Sequence, residues 1–178
     1  MILQMGYSSS FGPFVVSGNP SRTCVSEDLN YFQSSVDLLG SSTEDLEFTR
    51  FVDGLGERPL VDDVDSMRFY YFLESGIEIL ALRNATGTGK YIYAITFFMN
   101  RPPVREMKPY RGQFIAGVTP DDSLKEVMDK INLQPIDPGA EVLPRRLRYD
   151  YPDYTLDFVF RAPDGDQMRL VSINVGPA

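Results

Sequence analysis

Carboxylates are the only side chains in this sequence that are concentrated enough to suggest a chemical role. The stretch from Glu27 to Asp65 holds eleven acids and two arginines, a net charge of −9, whereas the full chain carries −8. Crowded like charges destabilise a compact state and attract cationic molecules. We therefore take all eleven as candidate contact residues for a basic protein partner: Glu27, Asp28, Asp37, Glu44, Asp45, Glu47, Asp53, Glu57, Asp62, Asp63 and Asp65.

The residues that most enzymes use for proton transfer or covalent catalysis are scarce. There is no histidine, which removes the commonest general base and most zinc sites. The single cysteine, Cys24, can form neither an internal disulfide nor a multi-cysteine metal site. Its thiol would need a positive neighbour such as Arg22 to act as a nucleophile. We expect no cofactor and no metal.

Two short motifs resemble ligand sites but lack essential parts. Asp62-Asp63-Val64-Asp65 lacks the spacing and the closing glutamate of a helix-loop-helix calcium site, and nothing in the sequence places two carboxylates across a cleft for glycoside hydrolysis. A solvated loop and a partner-facing loop both remain open. Gly87-Thr88-Gly89-Lys90 lacks the first glycine and the final hydroxyl residue of a phosphate loop, so we predict a hairpin turn.

Aromatic and basic residues do not favour a nucleic-acid site. The run Phe69-Tyr70-Tyr71-Phe72 could stack on bases, but phosphate backbones require lysine and arginine. In a strand, alternate rings point into the core, and the outward tyrosines would suit a protein interface. Arg145, Arg146 and Arg148 are predicted to form a solvated strand edge that discourages pairing.

The termini and the apolar runs predict a cytoplasmic protein with no membrane partner. Residues 1–10 have neither the basic region nor the apolar run of a signal peptide. The longest nearly apolar run, Tyr91–Met99, is far short of the ~20 residues that a membrane helix requires.

Hydrophobic periodicity predicts two helices and three strands in the first part of the chain. After an extended or strand-like arm over residues 1–25, we expect helices at Glu27–Leu39, capped by Ser26, and at Glu44–Leu55, with Thr43 as the cap and Gly56 at the exit. The acidic Pro59–Asp65 segment is predicted to be a loop. Three strands should follow, at Met67–Leu73, Gly76–Arg83 and Tyr91–Met99.

The second part of the chain repeats this order. After a proline-marked linker at 101–109, Thr119-Pro120 predicts a helix start. The predicted apolar face of that helix consists of Leu124, Val127, Met128 and Ile131. Three strands should follow, at Arg145–Asp150, Tyr154–Arg161 and Gln167–Val175.

An offset of 76 residues maps the first helix-and-strand pattern onto the second, which favours duplication, although any two helix-plus-hairpin units share some pattern. We therefore predict an α+β fold of two tandem helix-plus-antiparallel-sheet repeats, with an extra N-terminal arm and helix. The domains are an arm at 1–25, repeats at 26–100 and 110–178, and a linker at 101–109. The two units should share or abut their sheets.

The turn and core residues of the predicted repeat resemble a known family. Leu55-Gly56-Glu57-Arg58-Pro59, then Tyr70-Tyr71-Phe72, Gly76-Ile77 and Ile95-Thr96-Phe97, resemble tandem bacterial proteins with the beta-lactamase-inhibitor-like fold. The chain is also similar to two-repeat immunity proteins encoded beside secreted antibacterial toxins. It departs from the pattern at Ile131-Asn132, where Leu-Gly is expected, but asparagine also fits a left-handed helix end. The resemblance implies inhibition by binding and no catalysis.

Charge and resemblance together predict an immunity protein that neutralises a cationic toxin, such as a nuclease, through its acidic residues. Two alternatives stay open. One is an adaptor or structural module whose acidity serves only solubility, and the other is an enzyme that uses carboxylates alone.

Overall fold

The chain forms three helices and seven strands in a computed structural model that describes residues 31–83, 89–100, 106–136, 145–161 and 168–178. The arm at residues 1–25, Ser26 and the predicted helix residues 27–30 lie outside the described residues. The helices are α1 (Tyr31–Leu38), α2 (Leu46–Leu55) and α3 (Leu124–Ile131). The strands are β1 (Leu60–Val64), β2 (Met67–Phe72), β3 (Ile77–Arg83), β4 (Lys90–Phe98), β5 (Arg145–Asp150), β6 (Tyr154–Arg161) and β7 (Arg169–Pro177).

All seven strands belong to one antiparallel sheet with the order β1-β2-β3-β4-β7-β6-β5. The α+β class is therefore confirmed. The meander β2-β3-β4 meets the meander β5-β6-β7 where β4 pairs with β7, with Phe97 opposite Ile173. The expectation that the two sheets join is thus confirmed, and β1 and β5 are the edges of the sheet.

The hydrophobic core lies on one face of this sheet. On β3, Ile77, Ile79 and Ala81 are fully buried, and they alternate with partly exposed residues. Phe48 and Phe51 of α2 pack on that face through edge-on contacts with Tyr70 and Phe72. Each large apolar side chain removed from water in this way contributes about 2 kcal/mol. The core therefore fixes which side of every strand faces the helices.

The two helix starts differ from the prediction. The N-cap of α2 is Asp45, not Thr43, and its carboxylate accepts a hydrogen bond from the Ser42 N–H at 2.8 Å. The N-cap of α3 is Ser123, not Thr119, because Ser123 and Glu126 form a reciprocal capping box.

The helix exits agree with the prediction. Gly56 ends α2 and Asn132 ends α3, both in the left-handed conformation. Left-handed backbone suits glycine and, to a lesser degree, asparagine. Ile131-Asn132 stands where the family pattern has Leu-Gly, and it therefore ends the helix in the same way.

The offset of 76 holds at the helix exits but fails in the strands. The β-bulge of β4 lies at Tyr93, and that of β7 lies at Val171, which is 78 residues later. The buried Ile79 of β3 takes the same position relative to its bulge as Phe158 of β6, which is 79 residues later. A single gapless offset between the two halves is therefore wrong.

The prediction of a loop at Pro59–Asp65 is also wrong. Leu60–Val64 forms β1, an edge strand that pairs antiparallel with β2 from Leu60 opposite Tyr71 to Val64 opposite Met67. Asp65 occupies the tight turn between them with φ 54°, a conformation that aspartate tolerates better than most residues.

Candidate binding surface

Nine of the eleven candidate acids belong to the described part of the chain, while Glu27 and Asp28 lie outside it. Eight of the nine are exposed, and the carboxylates of five of these eight form no hydrogen bond or ion pair with a described residue. A sixth, Asp37 on α1, accepts only a long hydrogen bond of 3.5 Å from Gln33. The five unpaired acids are Glu44, Glu47, Asp53, Asp62 and Asp65.

Asp63 serves the sheet itself. Its carboxylate accepts hydrogen bonds from Arg68 at 2.6 Å and from Lys90 at 2.7 Å. These bonds hold the pKa of the Asp63 carboxyl well below its usual range. Since Arg68 lies on β2 and Lys90 on β4, Asp63 connects the edge strand β1 to both of these strands and is not free for a partner.

Glu57 and Asp45 also have structural partners. The Glu57 carboxylate accepts the N–H groups of Glu74 and Ser75, each at 2.8 Å, and the Ser75 hydroxyl. It therefore holds the turn between β2 and β3 against the end of α2. Asp45 is occupied by the Ser42 N–H. Sequence reasoning assigned all three acids to a partner because local sequence does not reveal contacts across the fold.

Two of the acids come together at an open groove between α1 and α2. Asp37 and Glu47 border this groove of ≈ 250 Å³, together with Arg50. Leu38 and Phe51 contribute apolar surface to it. A side chain with an aliphatic stem and a cationic tip would match such a lining.

Asp62 lies elsewhere. It stands opposite Phe69 on β2, whereas the core-facing residues of β2 are Tyr70 and Phe72. Because side chains alternate along a strand, Asp62 points to the face of the sheet away from the helices. The structure thus divides the acidic stretch between the helix surface and the opposite side of the edge strand.

The edge strand β1 is itself unusual, because none of its residues is buried. Leu60, Val61 and Val64 are 53%, 44% and 42% exposed. An edge strand leaves alternate backbone N–H and C=O groups unpaired and ready to pair with another chain. The exposed apolar side chains on such an edge are available to a docking partner.

The opposite edge is basic, as predicted. Arg145, Arg146 and Arg148 are exposed on β5. Part of this edge is already occupied, because the Ile136 N–H donates to the Arg148 carbonyl at 2.8 Å. Arg148 also pairs with Asp150 at 3.2 Å. The two edges of the sheet are therefore of opposite charge, and β1 is the more accessible among the described residues.

Sequence reasoning missed one carboxylate, Glu78 on β3. It lies on the face away from the helices, opposite Tyr71 on one side and Thr96 on the other. Burial raises the pKa of the Glu78 carboxyl. A signal was present in the sequence, because Ile77-Glu78-Ile79-Leu80-Ala81-Leu82 places a single acid in a strand that is apolar on both faces.

The described residues contain no group of three histidine, cysteine, aspartate or glutamate side chains that could share a metal ion. No helix among them is long and apolar enough to cross a membrane. Comparisons with protein-family models, curated protein sequences and solved structures find no match to this chain.

Proposed function

We propose that this chain is a non-catalytic inhibitor that binds a basic protein, and that it acts as an immunity protein against a cationic toxin such as a nuclease. The observation that carries the proposal is the set of unpaired acids around α2 and β1, which no described cation neutralises. An acidic surface of this kind can occupy the basic substrate site of a nuclease in place of phosphate. Such charge complementarity raises the association rate and disfavours wrong partners.

The apolar part of the same region supports a lasting contact. Leu60, Val61 and Val64 on β1 and Leu46 at the start of α2 are exposed apolar side chains in the acidic half of the chain. Apolar anchors determine the lifetime of a complex more than surface charges do. The combination of unpaired acids with exposed apolar side chains favours binding over an acidity that serves only solubility.

We further propose that the two halves of the chain arose by duplication and then diverged. Each half has a helix that ends in a left-handed residue, a following proline, and a bulged three-stranded meander. Leu60 and Ile136 are both exposed and both lie opposite the first strand of their meander. In this proposal the first half gained the charged surface and the second half remained a scaffold.

The contact surface is tested by capturing proteins from native lysate on the immobilised chain. A variant with Glu44→Lys, Glu47→Lys and Asp62→Lys is compared with a control that carries the same charge change on exposed acids of the second half, Asp121→Lys, Asp129→Lys and Asp153→Lys. We expect the first variant to lose a basic protein that the control retains. If both variants retain the basic protein equally, the acidic surface does not bind it.

The inhibitory role needs a separate test. Cells that express a toxin encoded beside this chain should grow when the chain is co-expressed, and they should stop growing with the first variant. If the wild-type chain retains no basic protein from lysate and protects no cells, the adaptor alternative stands instead.

A further inference from the structure

The face of the sheet away from the helices is open along β1 to β4. None of its side chains there is buried, and they alternate with the buried core residues. Over β6 and β7 the same face is covered, since Thr155, Val159 and Ser172 are each at most 9% exposed. The open area is therefore confined to the first four strands, where its residues include Leu60, Asp62, Val64, Phe69, Tyr71, Glu78, Leu80, Leu82, Thr96 and Phe98.

Glu78 lies in this open area near the start of β3. The strand register places Tyr71 directly opposite it on β2 and Thr96 directly opposite it on β4. No described residue forms a hydrogen bond or ion pair with its carboxylate. Burying part of a carboxylate without a counter-charge costs free energy, because the charge loses contact with water. A cation that pairs with Glu78 would offset this cost.

The surroundings of Glu78 select among cations. The rings of Phe69 and Tyr71 are stacked, with centroids 6.0 Å apart and planes inclined by 9°. A guanidinium group can lie flat on such a ring while it donates two hydrogen bonds to a carboxylate, whereas an ammonium group acts as a compact point charge. Asp62 adds negative potential here, because it and Glu78 both contribute, after burial, to the raised pKa of Tyr71.

We propose that Glu78 and the ring of Tyr71 form a receptor for an arginine side chain of the basic protein partner. The exposed Leu60, which lies opposite Tyr71, and the partly exposed Leu80, two residues along β3 from Glu78, lie on the same face as this receptor and can pack against the apolar neighbours of the inserted arginine. The inference rests on the proposed function, in which the partner is basic. It adds the position and the residue type of one anchor.

The probe for this receptor is an oligo-arginine peptide, with oligo-lysine of equal length as the comparison. Glu78→Gln removes the charge without changing the size of the side chain, and Asp129→Asn on α3 is the control with the same change in net charge. We expect Glu78→Gln to weaken arginine-peptide binding about tenfold and the control to weaken it less than twofold. Equal effects of the two variants, or equal binding of both peptides to the wild-type chain, would overturn the proposal.

Carbon-detected NMR of the Glu78 carboxyl supplies a second readout, which a merely structural role would not change. Its raised pKa should fall towards the ordinary value of about 4.3 when the arginine peptide is bound, because a guanidinium favours the charged carboxylate. An unchanged pKa at saturating peptide would contradict the receptor. This failure is distinct from failure of the proposed function, since capture of a basic protein can still depend on Glu44, Glu47 and Asp62 when Glu78 plays no part.

Discussion

Gly76, in the turn between β2 and β3, is a position where a single added carbon should destabilise the fold strongly. Its φ is +69°, and a Cβ there would lie closer than 3.0 Å to three backbone atoms of Lys108, Pro109 and Tyr110. That backbone segment is held by two hydrogen bonds of 2.7 Å, from the Lys108 N–H to the Leu73 carbonyl and from the Tyr110 N–H to the Phe98 carbonyl. The segment cannot move away without losing them.

The cost of Gly76→Ala can be derived from these contacts. Left-handed backbone costs an alanine about 1 kcal/mol, and two backbone hydrogen bonds contribute about 1 kcal/mol each. The expected loss in the free energy of unfolding is therefore about 3 kcal/mol, a large fraction of the ~5–15 kcal/mol that holds a domain together.

The matched control is Gly56→Ala. Gly56 has nearly the same φ, +68°, but no atom lies within 4 Å of its added Cβ. Both variants share the cost of the left-handed backbone and the gain from a stiffer unfolded chain, so the difference between them isolates the close approach of residues 108–110. Urea denaturation should show Gly76→Ala to be less stable than Gly56→Ala by about 2 kcal/mol. Equal losses would refute the packing of this segment against the turn.

Two further variants test α3 and the segment before it. Ser123→Ala removes the capping box with Glu126 and should lower the free energy of unfolding by about 1 kcal/mol, and an unchanged urea midpoint would contradict the cap. Asp122 accepts hydrogen bonds from Lys130 at 2.7 Å and from the Thr119 N–H at 2.7 Å. Burial raises the pKa of the Asp122 carboxyl, but these bonds outweigh burial and lower the pKa below its usual value. Its stabilisation is present above the unfolded-state pKa of about 3.9 and is lost as the pH falls through the lower folded-state value. Asp122→Asn should therefore cost about 2 kcal/mol at pH 7, and the gap to the wild-type chain should close below about pH 4; a gap that persists in acid would rule out the ion pair.

The periodic part of the fold could be predicted from sequence because its signals are local. Alternating apolar residues located six of the strands, and the glycine after Leu55 located the exit of α2. The helix starts were less predictable, because several residues before each helix can act as caps. Asp45 and Asp122 each accept a backbone N–H from the residue three positions earlier, which extends the polar turn and moves the start of the helix beyond the threonine.

The edge strand β1 could not be predicted, because its stability comes from other strands. Leu60-Val61-Asp62-Asp63-Val64 does not alternate, and adjacent aspartates disfavour strands in isolation. The strand pairs with β2 along its whole length, and Asp63 meets Arg68 and Lys90 across the sheet, where cross-strand pairs of opposite charge add to the stability of such an edge.

Charge counting identified the acidic half of the chain but not the role of each acid. Glu57 and Asp63 form hydrogen bonds within the fold, while Glu78, which lies outside the acidic stretch, is half-buried on the open face and has no counter-charge among the described residues. The difference arises from the strand register, which brings together residues that are distant in the sequence.

The most direct test of the proposed function is the rate at which the chain associates with the basic protein that it retains, measured as a function of ionic strength. We expect a rate constant that approaches ~10⁸–10⁹ M⁻¹s⁻¹ at low salt and falls steeply as salt is added. With Glu44→Lys, Glu47→Lys and Asp62→Lys the rate should be low at every salt concentration. A rate that does not depend on salt, or that is unchanged in this variant, would contradict recognition through the acidic surface.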